Sequence, residues 1–235
     1  MWPFSRHKSV LKSGVLQGMT DCHSHILPGV DDGVKTMRES LAILDRYEKL
    51  GIGKVWLTPH VMEDIPNKPS FLKERFEELK AAYKGGIELH LGAENMIDNL
   101  FEERLAAGDL LTVGADGRHL LVETSYFTPP YGFYDTVEEI KRLGYYPILA
   151  HPERYVYMDQ KDYERLKDMN VLFQMNLFSL VGMYGKGTQH VAQELLKRGM
   201  YDFVGTDIHT ISILDMFLNA SLDADYGLPI WNNSL

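Results

Sequence analysis

The chain has 235 residues, of which 45% are hydrophobic and 11% aromatic, and this composition excludes a disordered chain. Its 24 lysines and arginines against 33 aspartates and glutamates give a formal net charge of −9, which disfavours nucleic acid and anionic membranes as partners because both are negatively charged. The single cysteine, Cys22, excludes an intramolecular disulfide framework and fits a reducing compartment. We therefore expect a cytoplasmic protein.

The organisation of the chain is simple. The sequence contains no apolar run of about 18 residues, so we expect no stable membrane insertion. It also contains no low-complexity segment and no linker. We predict an N-terminal arm over residues 1–17 and a single domain over residues 18–235, which includes a C-terminal helix and tail. The sequence leaves the oligomeric state open.

Short β-rich runs alternate with amphipathic helical segments along the chain. The runs cover residues 19–22, 55–58, 87–91, 120–122, 147–150, 171–175 and 202–204. Helices are predicted behind caps at Thr36, Ser70 and Asp135, over residues 188–198, and in the tail at Leu214, Phe217, Leu218 and Leu222. About seven β–α units indicate an α/β fold with a parallel sheet covered by helices.

Six of these seven runs end at a side chain that can bind a metal ion, and Asn176 follows the remaining run. The strand ends of a closed barrel meet at one mouth, where the chemistry of such barrels is found. The sequence therefore predicts a barrel with one polynuclear metal site at the C-terminal ends of its strands. The candidate ligands are His23, His25, His60, Glu94, Glu123, His151, Asp207 and His209.

His23 and His25 are the first signal for this site. Residues i and i+2 of a strand share a face, so both imidazoles can reach one ion. The turn that follows brings either Asp31 or Asp32 back over the same mouth. A set of imidazoles and carboxylates without a thiolate suits Mn, Fe or Zn. The remaining histidines are interpreted as structural or solvated, namely His7, His90, His119 and His190.

Other catalytic templates are absent from the sequence. Cys22 is followed six positions later by Pro28, so the C-x5-R loop of cysteine-dependent phosphatases is missing. There is also no G-x-S-x-G elbow and no P-loop lysine motif. We expect the Cys22 thiol to pack away from the mouth as an inert group.

Three motifs resemble a known family. The block DCHSHILPGVDDG at residues 21–33, the triplet TPH at residues 58–60 and the block HPER at residues 151–154 resemble the PHP (polymerase and histidinol phosphatase) superfamily. Within it, the first and last blocks are similar to the manganese-dependent bacterial tyrosine-protein phosphatases of the CpsB/CapC type. The resemblance runs from about Gly18 to His209.

This resemblance implies a distorted (β/α)7 TIM-like barrel of the PHP type with up to three divalent ions, Mn²⁺ with Fe or Zn as substitutes. It implies three ligand sets, one for each ion. The sets are His23, His25, Glu94 and Asp207; then Glu94, Glu123 and His151, with Glu94 bridging; and Asp32, His60 and His209.

The resemblance also implies an activity. A hydroxide that bridges two ions would hydrolyse phosphotyrosine on a protein, and the expected partner is a bacterial tyrosine kinase that controls capsule or exopolysaccharide synthesis. Arg154 would pair with the phosphate oxygens, and His209 or Asp207 is a candidate general acid. Relatives often carry an arginine soon after the Asp-x-His motif, whereas this chain has no lysine or arginine after Arg198.

Several alternatives stay open at this point. A small-molecule phosphatase such as a histidinol phosphatase has the same fold, and an amidohydrolase or a TatD-like nuclease also uses strand-end ligands. A non-catalytic metal-binding or kinase-docking protein is a further alternative. The aromatic residues after the fourth run, Tyr126, Phe127 and Tyr131, either stack on a phosphotyrosine ring or pack as an ordinary loop.

Overall fold

The computed structural model describes residues 8–222 and residue 235, so residues 1–7 of the predicted arm and residues 223–234 of the predicted tail lie outside it. The strands are β1 (Lys8–Ser9), β2 (Thr20–Ser24), β3 (Lys54–Leu57), β4 (His60–Val61), β5 (Glu88–Leu91), β6 (Glu94–Met96), β7 (His119–Glu123), β8 (Tyr146–Ala150), β9 (Leu172–Asn176), β10 (Phe203–Gly205) and β11 (Ser221–Leu222). All seven predicted β-rich runs are confirmed as strands.

Helices follow most of these strands. They are α1 (Val10–Ser13), α2 (Met37–Leu50), α3 (Pro69–Ala82), α4 (Asn99–Ala107), α5 (Phe133–Arg142), α6 (Gln160–Asp168), α7 (Leu177–Leu180), α8 (Lys186–Lys197) and α9 (Ile211–Asn219), with a 3-10 turn at Pro152–Arg154. Among the described residues, no helix is long and apolar enough to cross a membrane.

Nine of the described strands, β2 to β10, form two parallel sheets that are joined by further hydrogen bonds. One sheet has the order β10-β9-β8-β7-β6-β4 and the other the order β2-β3-β5. On one side, the amide of Gly92 donates to the carbonyl of Leu57 at 2.9 Å, and β6 continues the line of β5 after two residues. On the other side, the amide of Asp207 donates to the carbonyl of His23 at 2.7 Å. The strand ends therefore meet at one face.

Side chains on the strands alternate between two apolar clusters, because successive residues of a strand point to opposite faces. Leu57 and Val122 pack with the helices, whereas Trp56 and Leu121 belong to a second cluster on the other face of the sheet. Cys22 is buried in this second cluster. This placement agrees with the predicted packing role of its thiol.

The helix starts differ from the sequence predictions at the caps Ser70 and Asp135 and at the predicted start at residue 188. Thr36 is the cap of α2 and accepts a hydrogen bond from the Glu39 amide. Helix α3 begins at Pro69 with Lys68 as its cap, because proline is favoured in the first helical turn, so the predicted cap at Ser70 is wrong. Helix α5 begins at Phe133, directly after Gly132, and helix α8 begins at Lys186, directly after Gly185; both glycines have positive φ. Both helices therefore begin at least two residues before their predicted starts.

The N-terminal and C-terminal segments pack together. Strands β1 and β11 pair antiparallel, with Lys8 opposite Leu222. Val10 and Leu16, which fall within the predicted arm over residues 1–17, are both buried in the main cluster. The predicted tail helix is confirmed as α9, although Leu222 lies in β11 rather than in the helix.

Candidate metal centre

Three groups of side chains at the strand ends bring ligand atoms within 4.8 Å of one another. Together they contain eight of the nine predicted ligands, and His151 is the ninth, with its Nε2 atom 2.9 Å from Glu94 Oε1. The groups are His23, His25, Glu94 and Asp207; His25, Asp32, His60 and His209; and His60, Glu94 and Glu123. The structure therefore gathers all nine predicted ligands at one face.

The sheet register positions these ligands. His60, the first residue of β4, lies beside Glu94 in β6, and Met96 of β6 lies beside Glu123 at the end of β7. His151 directly follows β8, and Asp207 lies two residues after the end of β10. Parallel strands in this register carry their last residues to a common edge.

Glu94 occupies the middle of the cluster and is fully buried. Its Oε2 atom lies 3.2 Å from His23 Nε2, 3.3 Å from His25 Nε2 and 3.1 Å from His60 Nδ1. Its Oε1 atom instead faces His151 Nε2 at 2.9 Å. The two oxygens of one carboxylate thus face different imidazoles, which is the arrangement required of a ligand shared by two ions.

The second ligand group differs from the set that the resemblance implies. That set combines Glu94 and Glu123 with His151, whereas the structure also places His60 Nδ1 3.0 Å from Glu123 Oε1. His151 Nε2 lies further from that carboxylate, 3.9 Å from Oε2 of Glu123. Two imidazoles, those of His60 and His151, are therefore available beside the same pair of carboxylates.

The hydrogen bonding of the cluster fits bound cations. Seven buried side-chain nitrogen or oxygen atoms among the described residues make no hydrogen bond, and five of them belong to His60, Glu94, Glu123, His151 and Asp207. Such atoms are rare in proteins because an unpaired buried polar atom costs about 1–3 kcal/mol. Because these unpaired atoms are concentrated on candidate ligands, they indicate that the side chains are arranged to bind ions rather than to hydrogen-bond with one another. Imidazole and carboxylate donors suit divalent cations.

The outer nitrogens of the first two histidines are each anchored by a second side chain. His23 Nδ1 lies 2.8 Å from Gln174 Oε1, and His25 Nδ1 lies 2.8 Å from Asp31 Oδ2. Their Nε2 atoms face the centre and are 3.1 Å apart. Metal-binding histidines in proteins are held in this way, because the outer contact fixes the tautomer and the ring orientation.

Sequence reasoning missed Gln174. The residue pattern alone left Asp31 and Asp32 as alternatives, of which the resemblance implied Asp32 as the ligand. In the structure, the Asp31 carboxylate contacts the outer nitrogen of His25, on the side away from the centre. The exposed Asp32 carboxylate lies 3.5 Å from His60 Nε2 and 3.4 Å from His209 Nε2. Gln174 is fully buried, and the other residues of the β-rich run 171–175 are all apolar. A polar residue in such a run was the available signal for its role.

The charges in the cluster shift the pKa values of its members in opposite directions. Burial alone would lower the pKa of His23, but the carboxylates of Glu94 and Asp207 outweigh it and raise this pKa to about 9. Burial alone would raise the pKa of Glu94 and Asp207, but the imidazole of His23 and its neighbours hold both well below their usual range. The carboxylates are therefore ionised and able to bind cations.

Two of the candidate ligands have an unusual backbone conformation. His151 and Asp207 have φ values of 33° and 54°, in the left-handed region that residues other than glycine rarely adopt. Such strain costs about 1–3 kcal/mol and is concentrated at functional sites. Its presence at both strand ends supports a functional role for this face.

Arg154 lies beside this cluster on the turn after β8. Its Nη1 atom donates to Asp207 Oδ2 at 2.8 Å, and the same oxygen accepts a hydrogen bond from Asn176 Nδ2 at 3.0 Å. Burial would lower the pKa of Arg154, but the Asp207 carboxylate raises it above its usual value. The guanidinium therefore remains charged at the edge of the site.

The aromatic loop after β7 divides between packing and exposure. The ring centroid of Tyr126 lies 4.3 Å from the guanidinium carbon of Arg154, so this ring packs against a side chain of the protein itself. Phe127 and Tyr131 of the same loop are exposed. Away from the centre, His90 stacks on Trp56, and His119 lies close to Asp116.

The comparison with known proteins agrees with this geometry. Residues 19–214 match the family described as capsular polysaccharide synthesis, CpsB/CapC. The chain belongs to this family. It is 30% identical to the tyrosine-protein phosphatase YwqE of Bacillus subtilis over 203 residues, which cover 82% of this chain and 78% of that protein.

Solved structures give the same result. One chain from the crystal structures of YwqE from Bacillus subtilis and CpsB from Streptococcus pneumoniae, described as metal-dependent tyrosine phosphatases, matches with a TM-score of 0.75 and 25% identity. The match covers 90% of this chain and 85% of that chain. A lactonase from Listeria monocytogenes matches with a TM-score of 0.52 and 13% identity over 93% of this chain and 86% of its own. The fold is therefore an α/β fold of the TIM-barrel class.

Proposed function

We propose that this chain is a metal-dependent tyrosine-protein phosphatase that hydrolyses phosphotyrosine on proteins. The observation that carries the proposal is the strand-end cluster around Glu94 with Arg154 at its edge, in a chain whose relatives are named tyrosine-protein phosphatases. Capsule or exopolysaccharide synthesis is the setting that the family description supports. The expected partner is the tail of a bacterial tyrosine kinase.

The hydrogen bonds between the two sheets support a closed seven-stranded barrel. Only two residues separate β3 from β4, and only two separate β5 from β6, so we count each pair as one interrupted strand. The nine parallel segments then correspond to seven barrel strands. At the other edge, the His25 amide donates to the Ile208 carbonyl at 3.0 Å, which joins β2 to the segment after β10. We infer a distorted (β/α)7 barrel of the PHP type, whose mouth carries the candidate centre.

Up to three divalent ions, which we propose to be Mn²⁺, would be held by the predicted ligands His23, His25, Asp32, His60, Glu94, Glu123, His151, Asp207 and His209. When bound, such ions supply Lewis acidity and an activated water as nucleophile. Imidazole and carboxylate ligands also suit Fe and Zn.

Arg154 is proposed to bind the phosphate monoester. The phosphate of a phosphotyrosine is anionic, and a planar guanidinium pairs bidentately with two of its oxygens. Tyrosine is a tolerable leaving group because its pKa is about 10. His209 and Asp207 are the two candidate general acids for its departure. His209 is favoured because its side chain is 24% exposed, whereas neighbouring imidazoles hold the pKa of Asp207 well below its usual range, so its carboxylate has no proton to donate.

The test compares substrates and metal content in one preparation. We expect the Mn²⁺-loaded protein to hydrolyse a phosphotyrosine peptide, EDTA to abolish this turnover, and histidinol phosphate to be hydrolysed more slowly. The variant His151→Ala should lose at least about 100-fold in turnover while keeping its circular dichroism spectrum. The matched control is His119→Ala, because His119 lies close to Asp116 outside the candidate centre.

Two outcomes would favour the alternatives. Faster turnover of histidinol phosphate than of the peptide would identify a small-molecule phosphatase. Bound metal without turnover of any phosphate ester would instead identify a metal-binding or kinase-docking protein. A cytoplasmic location stays a prediction from the sequence.

A further inference from the structure

Two tyrosine rings flank the guanidinium of Arg154. The guanidinium carbon lies 4.3 Å from the ring centroid of Tyr126 and 4.2 Å from that of Tyr184. The two tyrosines come from separate parts of the chain, since Tyr126 follows β7 and Tyr184 lies between α7 and α8. Stacking of arginine on tyrosine is favourable because the ring face is electron-rich.

Hydrogen bonds also link Arg154 to Tyr184 through Asp207 and Asn176. Arg154 Nη1 donates to Asp207 Oδ2, Asn176 Nδ2 donates to that oxygen, and Asn176 Nδ2 also donates to the hydroxyl of Tyr184 at 3.2 Å. Tyr184 then packs against Arg154 and completes the circuit. Asn176 is the one strand-end residue of the seven that is not a candidate metal ligand, and this circuit gives it a role.

These contacts around Arg154 matter for phosphate binding because a free arginine side chain is flexible. Holding a free arginine in one rotamer costs up to about 2 kcal/mol of conformational entropy. A side chain that is already fixed by its neighbours does not incur this cost when the ligand arrives. An arginine has five N–H donors, of which the Nη1 contact to Asp207 uses one.

We propose that Tyr126 and Tyr184 are positioning residues that hold the Arg154 guanidinium ready to bind a phosphate monoester at the mouth. The proposal rests on the proposed function for its substrate, and on the two ring contacts to Arg154 for its geometry. Burial raises the pKa of Tyr184 to about 12, so its ring remains neutral beside the cation at physiological pH.

The deciding variant is Tyr184→Leu, which removes the ring at a position that is 36% exposed and therefore tolerant of substitution. We expect the Mn²⁺-loaded variant to bind inorganic phosphate about tenfold more weakly by calorimetry. The KM for a phosphotyrosine peptide should rise by a similar factor, whereas kcat should stay within about threefold. Tyr126→Leu should shift the same quantities in the same direction.

Two further variants separate positioning from general structure. Tyr184→Phe keeps the ring and should recover phosphate affinity to within about twofold of the wild type. Tyr146→Leu is the matched control, because Tyr146 also packs against an arginine, Arg118 at 4.9 Å, but at the start of β8 rather than at its end. It should leave both phosphate affinity and KM unchanged.

The outcomes distinguish this proposal from the proposed function. Unchanged phosphate affinity in Tyr184→Leu, or a Tyr184→Phe variant as weak as Tyr184→Leu, would overturn the positioning role. A loss of bound Mn²⁺ in Tyr184→Leu would also overturn it, because the residue would then act through the metal ligand Asp207. A wild type that binds phosphate but does not hydrolyse phosphotyrosine would contradict the proposed function alone.

Discussion

Asp31 and His25 are joined by a contact of 2.8 Å between the carboxylate Oδ2 atom and the imidazole Nδ1 atom. The same oxygen accepts a hydrogen bond from the backbone amide of His60 at 3.0 Å. One carboxylate therefore contacts the imidazole of one candidate ligand, just after β2, and the backbone of another, at the start of β4. Burial would raise the pKa of Asp31, but His25 holds it below its usual value, so the carboxylate is ionised.

Removal of this carboxylate should weaken metal binding. We expect Asp31→Ala to lower the affinity for Mn²⁺ about 10- to 100-fold, because the imidazole of His25 loses the partner that fixes its tautomer and orientation. Calorimetric titration of metal-free protein would measure the change. The matched control is Asp215→Ala, since Asp215 pairs with Arg46 on the surface. Equal affinities in Asp31→Ala and the wild type would show that Asp31 does not support the centre.

Metal removal should lower the thermal stability of the protein. Ions that bind only the folded state add about 2.7 kcal/mol at a concentration of 100 times Kd, which corresponds to a shift in Tm of about 5–10 °C for a chain of this size. Differential scanning fluorimetry with Mn²⁺ and with EDTA would measure it. Glu94→Gln should lose most of the shift, because Glu94 lies between the ligand groups.

The control for this experiment is Glu88→Gln, a change to an exposed carboxylate of β5. This variant should keep the full shift in Tm between Mn²⁺ and EDTA. A Glu94→Gln variant that also keeps the full shift would contradict the bridging role of Glu94.

Asp21 should make stability depend on pH. Its buried carboxylate accepts hydrogen bonds from Thr206 and from the Tyr47 hydroxyl, and burial raises its pKa to about 6 despite the opposing effect of Thr206. In the unfolded chain this pKa is about 3.9. The folded state therefore prefers the protonated form, so this contribution to stability is present below about pH 4 and is lost as the pH rises to about 6.

Urea unfolding of EDTA-treated protein would measure this effect. Between pH 4 and pH 7, the free energy of unfolding of Asp21→Asn should improve relative to the wild type by up to about 3 kcal/mol. The exposed change Asp45→Asn should show no such trend. Parallel pH profiles of Asp21→Asn and the wild type would contradict the raised pKa.

Cys22 should be dispensable for catalysis. It is 2% exposed and packs with Trp56 in the cluster behind the mouth. We expect Cys22→Ala to keep phosphotyrosine turnover within about twofold and to lose about 1–2 kcal/mol of unfolding free energy, because it leaves a small cavity. A loss of turnover above tenfold with unchanged Mn²⁺ content would indicate a cysteine-dependent mechanism instead.

The strand positions could be predicted because they depend on local patterns. Each β-rich run appears as a strand at its predicted position, since short apolar runs between turn signals are encoded in neighbouring residues. The helix starts at Ser70 and Asp135 were less predictable, because a proline or a glycine just upstream moves the first turn. Helices α4 and α6 were not predicted, although Asp98 and Asp159 cap them.

The sequence by itself determined the type of site: imidazoles and carboxylates at successive strand ends, with an arginine three residues after His151. Only the tertiary structure decided that Gln174 anchors His23, that Asp31 lies behind His25, and that Tyr184 packs against Arg154. The physical reason is distance along the chain. Gln174 lies 151 residues from His23, and no local pattern specifies such a contact. It exists only once β2 has packed beside β10, which pairs with the Gln174 strand β9.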